Sequence, residues 1–189
     1  MRIISGQYKG RILKTTVGPG FRPAMGKVRE ALFSMLEARG LDWAGVRVLD
    51  LFAGSGSLGF EALSRGADYA CFVESAPHAV RVIKANAALL GIGEERFEAR
   101  LEDAGKALAR SPAEGFSLVF IDPPYQTPVL GSVLRSLLKN AFVRPGGFIN
   151  AEIKAGLDFA PENMDSALQV LGDRAYGQTR VVLWRMREI

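Results

Sequence analysis

Two stretches of the 189-residue chain carry residue types that could do chemistry: Asp122-Pro123-Pro124-Tyr125, and FAGSGSLG at 52 to 59. In the first, two prolines fix the backbone, so the Asp122 side chain and the neighbouring carbonyls hold their directions without an ordering cost at reaction time. Tyr125 offers a planar group a surface to stack on. Asp-Pro-Pro is also ordinary turn material after a strand, so the tetrapeptide depends on its context. In the second, Gly54, Gly56 and Gly59 satisfy Gly-x-Gly-x-x-Gly, a strand-to-helix turn whose backbone a nucleotide can approach closely. The helix start that follows offers free N–H groups.

Asp50 narrows the choice of nucleotide. It stands at the end of the strand in VLDLFAG, just before the glycines. A carboxylate beside a pyrophosphate dianion would cost binding energy, which disfavours NAD and an oxidoreductase. S-adenosylmethionine has no phosphate, and an acid here would stabilise its sulfonium and ammonium charges. Glu74, at the end of the next apolar strand, can accept hydrogen bonds from both ribose hydroxyls. Asp103, after a third strand, is placed to accept from the adenine amino group. The expected cofactor-binding set is Asp50, Phe52, Ala53, Gly54, Ser55, Gly56, Gly59, Glu74, Ser75, Asp103 and Ala104.

These residues need a frame, and the pattern of the chain supplies one. From Val46 onward, near-continuous apolar strands (VRVLDLF, YACFVE, FSLVFID, GGFINAEI) alternate with helical stretches closed by Gly66 and Gly91. That alternation predicts a Rossmann-like α/β fold: a three-layer αβα arrangement around a mostly parallel seven-stranded sheet. The tail LQVLGDRAYGQTRVVLWRM reads as two strands joined by a tight turn, an antiparallel edge. In such a sheet ligands gather at the carboxyl ends of the strands, where both motifs fall.

The N-terminal part differs in charge. Arg2, Lys9, Arg11, Lys14, Arg22, Lys27 and Arg29 lie within the first 29 residues, which hold no acid, although the whole chain carries only +4. A basic lobe of this kind suits a polyanion. RIISGQYKGRILKT reads as a short basic hairpin, VGPGFRP as a loop, and MGKVREALFSMLEARG as a helix with Val28, Ala31, Leu32, Met35 and Leu36 on one face. The expected division is an RNA-binding extension over 1–24 and a catalytic domain over 25–189. A single cysteine, Cys71, fits a reducing compartment and a core position. His78 is the only histidine, and no metal-binding cluster is expected. No apolar run reaches bilayer length, so the expectation is a cytoplasmic protein.

Four blocks, RIISGQYKGRIL, FRPAMGKVREALFSML, LDLFAGSGSLGFEALSRGA and DPPY, together resemble the RsmD family of 16S rRNA guanine-N2 methyltransferases, over residues 2 to about 154. The resemblance implies a small-subunit rRNA substrate, as 16S rRNA or the small ribosomal subunit, and a monomer. It implies that Asp122 and the Pro123 carbonyl accept from the exocyclic amine, that Tyr125 stacks on a flipped base, and that no metal is used. The catalytic set is Asp122, Pro123, Pro124 and Tyr125, with the seven N-terminal cations contacting RNA. Many relatives read Arg-Pro-Thr-x-Asp where this chain has Arg22-Pro23-Ala24-Met25-Gly26. The other readings are an adenine-N6 methyltransferase, which would share DPPY, and a non-catalytic RNA-binding protein of ribosome assembly.

Overall fold

The computed structural model describes residues 1–16, 23–124 and 129–188. In chain order the elements are α1 (Pro23–Ala38), β1 (Arg47–Leu51), α2 (Ser57–Arg65), β2 (Tyr69–Glu74), α3 (Pro77–Leu90), β3 (Phe97–Leu101) and the single turn α4 (Ala104–Ala107). They continue with β4 (Phe116–Ile121), α5 (Leu130–Lys139), β5 (Val143–Lys154), β6 (Leu168–Tyr176) and β7 (Thr179–Met186).

The strands form one seven-stranded sheet in the order β3-β2-β1-β4-β5-β7-β6. The first five run parallel, whereas β7 pairs antiparallel with both β5 and β6. The expected architecture is therefore the observed one, including its antiparallel edge. Successive crossovers carry the chain outward from β1 to β3 on one side and from β4 onward on the other. β1 and β4 are thus the neighbours at which the strand order reverses, the point where an α/β sheet opens a crevice for ligands.

Side-chain alternation divides the core in two. On one face Val48, Phe72, Leu118, Phe120, Phe148 and Leu183 pack against α1, α2 and α3. On the other, Leu49, Leu51, Cys71, Val119, Ile121 and Trp184 pack against α4 and α5. α1 buries Leu32, Phe33 and Leu36 at 1% exposure or less, each worth about 1.5–3 kcal/mol of transfer free energy. Helix α1 starts at Pro23, two residues before the expected start.

The N-terminal segment is looser than a regular hairpin. It has one isolated bridge, Arg2 to Ile12, with Ile3 N–H donating to the Arg11 carbonyl at 3.0 Å and Leu13 N–H to the Met1 carbonyl at 2.6 Å. Ile3 and Leu13 are buried in the main core. The segment is stapled to α2 by a buried acid: Glu61 accepts from Ile4 N–H (2.8 Å), Ser5 N–H (3.0 Å) and Arg65 Nε (3.0 Å). Ser64 adds a donor to the Ser5 carbonyl (2.5 Å) and an acceptor for Tyr8 N–H (3.0 Å). The approach is so close at Gly6 that a Cβ would lie 1.8 Å from the Ser64 carbonyl oxygen. Any side chain there would push the segment off the helix.

Candidate active site

The loop after β1 turns by alternating backbone conformations. Phe52 (φ 59°), Gly54 (φ 55°) and Gly56 (φ 79°) all lie in the left-handed region. For an aromatic residue such as Phe52 this conformation is strained, and strain of this kind gathers at functional loops. The glycines serve different ends. At Gly56 an added Cβ would come within 2.7 Å of the Phe60 ring, and at Gly59 within 2.3 Å of the Phe72 ring, so both are needed for packing. At Gly54 an added Cβ would meet nothing within 4 Å among the described residues. That glycine faces open space at the carboxyl edge of the sheet and leaves the backbone bare to a ligand.

Two carboxylates hold the loop. Asp50, 2% exposed, accepts from Gly59 N–H at 3.0 Å and so ties the end of β1 to the first turn of α2. Half-buried Glu74 accepts from Gly54 N–H (2.9 Å) with one oxygen and from Ala76 N–H (2.8 Å) with the other. These two bonds fix the direction of its carboxylate at the end of β2. Ser75 is exposed beside it, and Ala53 donates its N–H to the Val73 carbonyl at 3.2 Å. The Ser55 carbonyl accepts from Asn86 Nδ2 at 3.0 Å.

Asp122 follows β4, next to β1, and its N–H donates to the Leu51 carbonyl at 3.5 Å. The register pairs Asp50 with Phe120 and Leu51 with Ile121, which brings the DPPY stretch and the glycine loop to adjacent strand ends. Pro123 is buried and Pro124 exposed. Tyr125 and Arg22 lie outside the described residues.

The electrostatics of this corner are dominated by burial and like charge. The Asp50 carboxyl is raised well above its ordinary range by burial first, and then by the charges of Asp122 and Glu74, against the pull of the Gly59 hydrogen bond. Burial also pushes Asp122 up, to about 6. A site that crowds carboxylates on its inner face favours a ligand that brings positive charge.

Other expected residues have structural duties. Asp103 caps α4, accepting from Gly105 N–H (2.9 Å) and Lys106 N–H (3.2 Å) through one oxygen, which leaves the second for any further partner. Ala104 is buried behind it. His78 is exposed in the first turn of α3. Cys71 is fully buried, and burial raises its thiol to about 12, as befits an inert core position.

Of the N-terminal cations, Arg2, Lys9, Arg11, Lys14 and Lys27 are exposed. Arg29 is not. It is 5% exposed, donates to the Arg2 carbonyl at 2.6 Å, and faces the charges of Glu61 and Glu152. Its charge is turned inward because it occupies the buried stripe of α1.

Sequence reasoning missed two polar residues here, and each had a signal. Asn86 lies on the apolar stripe of α3 between Ile83 and Leu90, is fully buried, and accepts from Lys14 N–H (2.8 Å) while donating to the Lys14 carbonyl (3.1 Å) and to Ser55. It binds the basic segment to the glycine loop. Glu152 follows Phe148 and Asn150 on one face of β5 and stands one residue beyond Ala151, whose partner Ile121 directly precedes Asp122.

Comparisons with known proteins bear on the family and the fold. The family model described as "Conserved hypothetical protein 95" matches residues 1–185. The Bacillus subtilis (strain 168) protein named "Putative rRNA methyltransferase YlbH" is 38% identical over 189 residues, covering 99% of this chain and 100% of its own. The Escherichia coli (strain K12) protein named "Ribosomal RNA small subunit methyltransferase D" is 33% identical over 165 residues, covering 86% of this chain and 80% of its own. Among solved structures, "Putative methyltransferase yhhF from Escherichia coli" superposes with a TM-score of 0.86 at 29% identity, over 100% of this chain and 99% of that one.

Proposed function

The chain belongs to the family described as Conserved hypothetical protein 95, the family of ribosomal RNA small subunit methyltransferase D, and from that premise we propose that it methylates the exocyclic N2 amine of a guanine in 16S rRNA. At the coarser level it is an S-adenosylmethionine-dependent rRNA methyltransferase. The observation that carries methyl transfer to an exocyclic amine is the meeting of Asp122 with the glycine loop at the ends of β4 and β1, and the choice of guanine N2 rests on the resemblance of the four sequence blocks to the RsmD family.

The residues fit S-adenosylmethionine. Gly54 leaves an open, bare stretch of backbone, Glu74 is an oriented acceptor for ribose hydroxyls, and the crowded carboxylates suit a cation and oppose a pyrophosphate. The cofactor, when bound, supplies an electrophilic methyl group on a sulfonium. Asp50 braces the loop that receives it, through Gly59. Asp122 accepts a hydrogen bond from the target amine, whose lone pair is otherwise delocalised into the ring, and favours a more pyramidal, nucleophilic nitrogen. As positive charge develops on that nitrogen, the carboxylate stabilises it from a fixed position. Pro123 and Pro124 hold the turn, and Tyr125 would stack on the flipped base.

The first 24 residues act as an RNA-binding extension to the catalytic domain of 25–189. Arg2, Lys9, Arg11, Lys14 and Lys27 present exposed charge for phosphates, with Arg22 as a further contact. Arg29 contributes from inside, by holding the extension in place. Mass spectrometry of rRNA from a strain lacking the gene tests the reading. Loss of one N2-methylguanine from 16S rRNA is expected, and an unchanged 16S modification profile would refute it.

A further inference from the structure

Near its end β5 carries an acid, Glu152, that the DPPY motif does not include. Ile121 of β4 pairs with Ala151 of β5 as the last pair of that ladder, so Asp122 and Glu152 each follow it by one residue at the carboxyl edge. Alternation puts Asn150 and Glu152 on the same face as Phe120 and Asp122, and on the same face as Asp50 of β1. That face is otherwise apolar and is covered by α1. From α1, Arg29 turns its buried guanidinium inward: two of its nitrogens donate to the Arg2 carbonyl and the Met1 sulfur, and among the described residues Nε has no hydrogen-bond partner. The buried Asn150 Oδ1 is likewise without a partner among the described residues, two residues before Glu152.

An ionisable group in such a place costs stability, and a glutamine or leucine would fill the space at lower cost. The groups that face Glu152 are Asp122 from β4, Asp50 from β1 and Arg29 from α1, with Val181 as its neighbour in β7. Glu61 and Arg65 in turn face Arg29. Burial raises the Glu152 carboxyl to about 8, the charges of Asp122 and Asp50 raising it and that of Arg29 drawing it down. Interacting sites of this kind titrate as a pair.

Resting on the methyltransferase reading, we propose that Glu152 is a positioning residue that acts through Asp122, as the second member of a carboxylate pair that takes the proton leaving the target amine. In the transfer, a nitrogen–carbon bond forms as the carbon–sulfur bond breaks, and the electron pair of the broken bond stays on sulfur. The nitrogen is left with one proton too many. Asp122 accepts that proton, Glu152 shares it, and solvent removes it through the open edge of the site. Once Glu152 ionises, at about 8, its negative charge also strengthens Asp122 as the partner of the developing cation.

The test is Glu152→Gln, with Glu152→Asp as the conservative variant, in the full chain. Above pH 8, turnover of small-subunit RNA should fall by about tenfold in kcat, short of the roughly hundredfold low end of a direct acid–base contribution because Glu152 acts through Asp122, with KM nearly unchanged. The wild-type kcat profile should rise a second time as Glu152 ionises at about 8, and that step should be absent from Glu152→Gln. Glu152→Asp should restore part of the rate.

A second readout needs no turnover. Both carboxyls have folded pKa values above their unfolded ones, so their contribution to stability is fully present below the ordinary carboxylate range and is lost as pH rises through the folded values. Glu152→Gln should therefore melt higher than the wild type at pH 8, with the difference closing toward pH 5. A Glu152→Gln profile that keeps the step near pH 8 with unchanged kcat overturns the inference, as does a variant that melts lower than the wild type at pH 8. A wild-type protein that transfers no methyl group would instead overturn the proposed function, and the reaction role of Glu152 with it.

Discussion

Gly54→Ala separates a ligand-facing glycine from a packing glycine. The backbone at Gly54 has φ 55°, where an alanine costs about 1–2 kcal/mol in the folded state, partly offset by about 0.4–1 kcal/mol of restricted freedom in the unfolded chain. The net loss is about 1 kcal/mol, or about 2–4 °C in melting temperature for a chain of this size. Among the described residues no atom lies within 4 Å of the new methyl group, so their packing adds nothing to that loss. Bound S-adenosylmethionine, however, would have to give way to it. Overpacking of about 1–3 kcal/mol corresponds to roughly five- to 150-fold in affinity. Gly59→Ala should behave in the opposite way. Its methyl group would lie 2.3 Å from the Phe72 ring and 3.2 Å from Asp50, so stability should fall further than for Gly54→Ala. Calorimetric titration with S-adenosylmethionine beside thermal melting of both variants checks the argument. A Gly54→Ala protein that binds the cofactor with wild-type affinity would refute the placement of the ligand over this loop.

Asp122→Ala should abolish methyl transfer while leaving cofactor affinity within a few fold, and substantial turnover by the variant would remove Asp122 from the mechanism. Glu74→Ala should weaken the cofactor by about ten- to a hundredfold, the worth of roughly 1.5–3 kcal/mol in charge-assisted hydrogen bonds, with unchanged calorimetric affinity as the contrary result. Replacing Lys9 and Arg11 with Ala should lower the slope of log RNA affinity against log salt by about 0.7–0.9 for each phosphate that is no longer neutralised, while cofactor binding stays as it was. An unaltered slope would return those cations to the role of a solvated surface.

The strands and most helices were legible because their apolar runs are long, and because Gly66 and Gly91 stop α2 and α3 where the sequence says they should. The glycine loop and Asp122 were legible because their chemistry lies in contiguous residues. What escaped the sequence depends on partners distant along the chain. Asp50 reads as a ligand contact, and in the fold it is also the brace for Gly59, nine residues on. Arg29 counts among the basic residues in sequence, yet the phase of α1 turns it toward Glu152 and away from the surface. Asn86 and Glu61 bind residues more than fifty positions away, and no local pattern reports such a partner. Glu152 becomes meaningful only once the register of β4 and β5 is known.

The central claim is tested most directly by incubating the purified protein with methyl-labelled S-adenosylmethionine and small-subunit RNA, both naked and as assembled particles, and digesting the RNA to nucleosides for mass spectrometry. The account predicts label in N2-methylguanosine, and none when Asp122→Ala replaces the wild type. Label in N6-methyladenosine, or no label with either form of the substrate, would contradict it.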